Sequence, residues 1–390
     1  MGIKPSNRLA GVGTYYFAEK LRQIDRMRRA GRHIINLGIG SPDLPPHPDV
    51  IRVLSEAASR PMNHGYQSYR GIPELREAFA EWYAREYAFR PDPERELLPL
   101  MGSKEGIMHL SMALLDPGDV VLVPNPGYPG YAAAAKLAGA EVRHYELSAE
   151  RGWQPDIAAI EAQDLSGVKM LWLNYPHMPT GTPGNPDTFA ELIAFARRRN
   201  ILLCHDNPYN GLLNPRAISL IAQPGAMDVA VELNSLSKTY NMAGWRLGVM
   251  LGNEEMVNTV LRFKSNMDSG MFKPVQLAGA RALGLDAGWM EELNKTYTMR
   301  QKLALQVLEA LDCRVDGAQV GLFLWAEVAP EWPNAESLSE ELLMQAGLFI
   351  TPGFIFGSAG DRYLRISLCS PTEDLEQALE QCKSFKHLGS

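Results

Sequence analysis

Five short, almost unbroken apolar runs, set between stretches of helical periodicity, limit what this chain can fold into more than any other feature. The runs are "VVLV" at 120–123, "KMLWLN" at 169–174, "ILLCHD" at 201–206, "VAVELN" at 229–234 and "LGVML" at 247–251. A strand with one wet face alternates apolar and polar residues. Runs like these predict strands buried on both faces, as in a largely parallel sheet covered by helices. The intervening segments supply the helices. "IPELREAFAEWYARE" places Leu75, Phe79 and Trp82 on one side and begins with Pro73, which suits a first helical turn. The pattern predicts a large α/β domain over 48–285. From 286 to 390, long helices mix with strands such as "GLFLWAEV" and "YLRISL", which predicts a smaller α+β domain. Residues 1–47 read as an N-terminal arm that also contributes to that smaller domain.

A chain of 390 residues is too long for one ordinary core, in keeping with two domains. The formal net charge of −7 argues against nucleic acid or an anionic membrane as the main partner. No 18-residue apolar run occurs, so no membrane span is expected, and there is no secretory leader pattern. Cys204, Cys313, Cys369 and Cys382 form no C-x-x-C pair. That usage suits a reducing compartment, and a cytoplasmic location is expected. No metal site is read.

In open α/β sheets ligands bind beyond the carboxyl ends of the strands, and the chemistry-bearing residues cluster there. "SLSKTYNMAGWRLG" (235–248) follows an apolar run. Lys238 is an amine able to form a Schiff base, while Ser235, Ser237 and Arg246 suit a phosphate. "HDNPYNG" (205–211) ends a strand at Asp206, where a carboxylate is costly unless paired, with Tyr209 three residues on. "GSKEGIMHL" opens a helix whose free N–H groups at Ser103 and Lys104 would attract an anion. "PNPGYPGY" offers Tyr128 as a flat face for stacking. In "YLRISL", Arg365 interrupts an apolar strand and suits a carboxylate. Each has a plainer reading: a solvated loop lysine, an Asx-turn at Asp206, an ordinary tyrosine, a structural ion pair at Arg365.

Taken together, these segments resemble the fold-type-I pyridoxal-phosphate-dependent aminotransferases of class I/II, over nearly the whole chain. The most specific piece is "SLSK" with Arg246 eight residues after the lysine. The resemblance implies an enzyme that moves an amino group from an amino acid to a 2-oxo acid by a ping-pong cycle. It implies that Lys238 carries pyridoxal 5′-phosphate as an internal aldimine and shuttles a proton. Asp206 would pair with the ring nitrogen, Tyr209 would bond the phenolic oxygen O3′ and Tyr128 would stack on the ring. Ser103, Lys104, Ser235, Ser237 and Arg246 would bind the phosphate, helped by Tyr66 from a second subunit of a homodimer. Arg365 and the Gly40 backbone would hold the substrate carboxylate. Asn174 and Met178 fall within the cofactor wall, and Tyr15 at the substrate entrance.

The loop "NYPHMPTG" departs from the family pattern. Relatives usually have Asn-Pro-Thr-Gly, with the asparagine donating to O3′. Here the matching residue is Met178, and a thioether cannot donate. Tyr209 alone is then expected to bond O3′, with Met178 packed beside the ring and the aldimine pKa raised. "FKSNMDSGMFKPVQ" offers no arginine after Arg262 for a distal carboxylate. In this it looks more like alanine-type and LL-diaminopimelate-type aminotransferases than aspartate-specific ones. Two further readings stay open: a β-elimination lyase or decarboxylase using the same cofactor, and a non-enzymatic ligand-binding module.

Overall fold

The computed structural model describes residues 2–9, 11–12 and 16–388. The first strand, β1 (Ile35–Asn36), pairs in parallel with a strand far along the chain, as set out below. The central sheet holds seven strands. These are β2 (Leu97–Leu100), β3 (Val120–Asn125), β4 (Glu141–Glu146), β5 (Val168–Asn174), β6 (Leu202–Asp206), β7 (Ala230–Ser235) and β8 (Gly248–Leu251). Their order is β2-β8-β7-β6-β5-β3-β4. All neighbours are parallel except β8, which runs antiparallel to both β2 and β7.

The five apolar runs form β3, β5, β6, β7 and β8, and alternate side chains feed two cores. Leu122, Leu171, Leu173, Leu203, Val249 and Leu251 enter the core on one face. Val121, Val123, Trp172, Cys204, Val231, Leu233 and Met250 enter that on the other. Both faces are therefore dry, as runs without polar alternation require. The sequence reading missed β2 and β4, and these are the two edges of the sheet. "LLPL" contains Pro99, and "EVRHYE" is largely solvent-facing, so neither shows the apolar signature of a central strand.

The C-terminal region opens with the Ala287–Ala310 helix. A four-stranded antiparallel sheet follows in the order β12-β13-β10-β9, built from β9 (Arg314–Val315), β10 (Phe323–Glu327), β12 (Thr351–Pro352) and β13 (Tyr363–Ser367). Between β10 and β12 lies β11 (Leu348–Phe349), the partner of β1. The N-terminal segment is thereby tied to the C-terminal part of the chain. Among the described residues, no helix is long and apolar enough to cross a membrane.

Candidate active site

The register of the sheet gathers the polar residues at one end. Asn174 is paired with Asp206 across β5 and β6, and Ser235 with Gly248 across β7 and β8. Because β8 is reversed, the chain enters it from Arg246, at the end where β7 finishes. Leu100 also pairs with Gly248, so the Gly102 turn and the Ser103–Leu114 helix begin there too. These strand ends and part of the C-terminal sheet border a cavity of about 410 Å³. Its wall includes Gly40, Ser103, Lys104, Tyr128, Asn174, Met178, Asp206, Tyr209, Ser235, Ser237, Lys238, Arg246 and Arg365. Of the candidates read from sequence, two are not in that wall. Tyr66 is 92% exposed elsewhere on the chain, and Tyr15 lies outside the described residues.

At the cavity floor, Asp206 is buried, and Tyr131 donates its hydroxyl to Oδ2 at 2.9 Å. Burial raises the carboxyl's pKa to about 6, against the Tyr131 bond and the positive fields of His205 and Lys238, which lower it. The other oxygen, Oδ1, is buried without a hydrogen-bond partner. A buried, unpaired carboxylate oxygen facing a cavity calls for a cationic N–H donor. The protonated ring nitrogen of pyridoxal phosphate is such a donor, so this floor fits that cofactor.

Tyr131 was not singled out from the sequence, although it lies in the same "PGYPGY" segment as Tyr128. Its ring stacks on Trp172, with centroids 4.7 Å apart and planes 4° from parallel. Tyr131 lies three positions after Tyr128 at the start of one helix, which puts both on the cavity side. That spacing was the available signal.

Behind Asp206 lies a second buried network that sequence reading also missed. Glu232 is fully buried, 2.9 Å from His205 Nδ1, and accepts from Tyr83 at 2.8 Å, from Ser219 and from the Leu220 N–H. Burial alone would raise its pKa, but the hydrogen bonds from His205, Ser219 and Tyr83 outweigh it and hold the carboxyl below its ordinary range. The partners come from three separated stretches of chain, so no local motif announces them.

The far wall is an anion cradle. Gly102 adopts φ +84°, ψ 158°, a region open essentially to glycine alone, and a Cβ there would sit 2.2 Å from Arg246 Nη2. Arg246 is fixed by bonds to the carbonyls of Ala243 (3.0 Å) and Met101 (3.1 Å). The Ser103 hydroxyl is buried with no hydrogen-bond partner. Ser235 caps the short Leu236–Thr239 helix by accepting from the Ser237 N–H at 3.1 Å. The helix N-terminus, the hydroxyls and the guanidinium converge as a phosphate would need.

Lys238 lines the same cavity and donates from Nζ to the Gly40 carbonyl. Burial lowers its pKa, and the Arg365 and Arg246 charges push the same way, against Cys369 and Asp206. A lysine tuned downward keeps more of its amine neutral and nucleophilic. Burial raises the pKa of Tyr209, which keeps its hydroxyl protonated as a donor.

Arg365, on β13, reaches in from the C-terminal sheet. It donates from Nη2 to the Gly38 carbonyl at 2.7 Å and from Nη1 to the Met178 sulfur at 3.3 Å. Its guanidinium carbon lies 4.1 Å from the Phe323 ring centroid and 4.6 Å from that of Phe356. Asn174 holds the Met178 loop: its Oδ1 accepts from the Met178 N–H at 2.8 Å, and its Nδ2 donates to the Asp206 carbonyl at 2.6 Å. Its amide therefore braces the cavity wall from behind.

Outside this cavity, Glu105, His109 and Asp268 bring ligand atoms within 4.8 Å of one another. Lys264 Nζ already contacts Asp268 there, so the group is a buried charge network.

Residues 32–381 match the family model described as aminotransferase class I and II. The chain is 40% identical over 386 residues to an LL-diaminopimelate aminotransferase of Dehalococcoides mccartyi, covering 98% of this chain and 99% of the relative. It is 38% identical over 383 residues to an LL-diaminopimelate aminotransferase of Aquifex aeolicus, with the same coverage. Among solved structures, apo-BacF from Bacillus subtilis superposes with a TM-score of 0.93 at 37% identity, covering 98% of each chain. Aspartate aminotransferase from Thermus thermophilus (a single mutant) gives 0.91 at 27% identity, covering 98% of this chain and all of that one. The chain belongs to the aminotransferase class I and II family, and its reaction is the transfer of an amino group.

Proposed function

We propose that this cavity binds pyridoxal 5′-phosphate on Lys238 and carries an amino group from an amino acid to a 2-oxo acid in two half-reactions. The observation that carries the reading is the pairing of an orphaned, buried Asp206 Oδ1 with a lysine of lowered pKa in one cavity. Bound there, the cofactor would supply an electron sink for charge at the substrate's α-carbon and a carrier for the amino group. Asp206 would hold the ring nitrogen's proton in place, braced by Tyr131. Lys238 would take the proton from the substrate α-carbon and return it on the cofactor side. Tyr209 would donate to the phenolic oxygen. Ser103, Lys104, Ser235, Ser237 and Arg246 would hold the phosphate. Arg365 and the Gly40 backbone would orient the substrate carboxylate.

A homodimer completes this reading. Exposed Met62, Tyr66, Tyr69, Met267 and Phe272 lie on two segments that touch each other, with His64 and Phe272 ring centroids 5.7 Å apart. An exposed apolar patch of this kind favours a partner, and Tyr66 of the partner subunit would reach the phosphate. We assign 48–285 to a cofactor-binding domain and 286–390, with the N-terminal arm 1–47, to a smaller one. A cytoplasmic location accords with the four unpaired cysteines.

The test is a single half-reaction. Cofactor-loaded protein is mixed with an amino acid, LL-diaminopimelate among the donors tried, and no acceptor is added. One equivalent of 2-oxo acid per subunit, with the cofactor left in its amine form, supports transamination. Continuous release of ammonia would instead identify a lyase, and continuous release of carbon dioxide a decarboxylase.

A further inference from the structure

Among the described residues, the charged side chains of the cavity wall are Lys104, Asp206, Lys238, Arg246 and Arg365. On the reading above, the first four face the cofactor and Arg365 faces the substrate's α-carboxylate. None is then left for a second charge on the substrate. Among the described residues, aromatic and aliphatic side chains border Arg365. Phe323 and Phe356 lie against its guanidinium, Phe17 has its ring centroid 5.6 Å away, and Leu21 and Ile39 continue the same wall. The Met178 thioether, in contact with Arg365 Nη1, adds a further weakly polar side chain to this wall.

The segments that a second subunit would bring to this cavity continue the pattern. "MNHGYQSY" (62–69) and "NMDSGMF" (266–272) contain no lysine or arginine. The one carboxylate in them, Asp268, is buried against Lys264.

We propose that the subsite beside Arg365 takes an apolar side chain, so that the preferred substrates are aromatic or long aliphatic amino acids and their 2-oxo acids. This rests on the aminotransferase reading of the same cavity. A phenyl or branched aliphatic group there loses contact with water and gains packing against the phenylalanine rings. A distal carboxylate or ammonium gives up its hydration without a countercharge. Substrates such as aspartate or LL-diaminopimelate, with a charged far end, are discriminated against.

The experiment is a panel of half-reactions on cofactor-loaded wild-type protein with phenylalanine, leucine, methionine, aspartate and LL-diaminopimelate. It is joined by calorimetric binding of two unreactive carboxylates, 3-phenylpropanoate and succinate. The expected result is a preference for the apolar amino acids of roughly tenfold or more in kcat/KM, the scale on which pocket contacts discriminate. The same preference is expected for 3-phenylpropanoate in binding. Ile39→Arg, which adds a cation to the wall, should shift both preferences toward aspartate and succinate. Faster reaction with aspartate or LL-diaminopimelate in the wild type overturns the inference and leaves the aminotransferase reading intact. If no amino acid reacts although the cofactor is bound, the reading of the site fails, and the inference with it.

Discussion

The Nη1 group of Arg365 donates to the sulfur of Met178 at 3.3 Å, which joins the arginine proposed to hold the substrate carboxylate to the loop at the end of β5. The relatives' asparagine at this position is a donor, and a thioether accepts only weakly. Met178 therefore contacts the arginine, and its side chain would donate nothing to the phenolic oxygen of a bound cofactor. Replacing Met178 by asparagine should lower the pH midpoint of the cofactor–lysine absorbance change. One charge-assisted bond is worth about 1.5–3 kcal/mol, or roughly one to two pH units. Spectroscopic titration of both proteins checks this, and an unchanged or higher midpoint counts against it. Met178→Leu keeps the volume and removes the acceptor. It should raise KM for the amino acid while changing folding stability by less than about 1.5 kcal/mol.

Gly102→Ala should weaken cofactor binding. The glycine's backbone is in a region costing roughly 1–3 kcal/mol for other residues, and the new Cβ would strike Arg246. Cofactor affinity should fall about 5- to 150-fold, with overall folding preserved. Fluorescence titration of the cofactor-free protein measures it.

Asp206 carries a pH signature. Its folded pKa of about 6 lies above the ordinary 3.8. The folded, cofactor-free protein therefore binds the proton more tightly than the unfolded chain. The resulting stabilisation is complete below the unfolded pKa and is lost as pH rises through about 6. A difference of 6 − 3.8 = 2.2 units corresponds to about 3 kcal/mol. Asp206→Asn should make the cofactor-free protein more stable at pH 8 than wild type, and make that advantage shrink by pH 4. The same variant should lose most amino-transfer activity, since a neutral amide no longer favours the ring proton. Urea unfolding at both pH values tests the stability half.

Glu232→Gln removes the carboxylate that faces His205 and collects the donors of Tyr83, Ser219 and Leu220. Breaking a buried pair on one side leaves the remaining partners unsatisfied, at about 3–5 kcal/mol. Urea unfolding should place this variant well below wild type, and a loss under about 1 kcal/mol would contradict Glu232's role as the acceptor that ties this network together.

The sheet was legible where strands are buried on both faces, because β3, β5, β6, β7 and β8 have no polar alternation. It was illegible at its edges. There Pro99 removes a ladder donor, and the charges of "EVRHYE" meet solvent. The site was legible where chemistry sits at a strand end: Asp206 ends β6, Ser235 ends β7 and Lys238 follows within one turn. What was harder to read came from residues that act by meeting across the fold. Tyr131 matters because Asp206 is 2.9 Å away, and Phe323 and Phe356 because they bracket Arg365. A phenylalanine in a strand looks the same in sequence whether it faces a core or a substrate.

Whether Lys238 carries the cofactor is decided by borohydride reduction of the loaded protein followed by peptide mass mapping. One cofactor mass per subunit is expected on the peptide containing Lys238, and none in Lys238→Ala. Cofactor fixed to Lys104, the other lysine of the cavity wall, or no fixed cofactor at all, would contradict it.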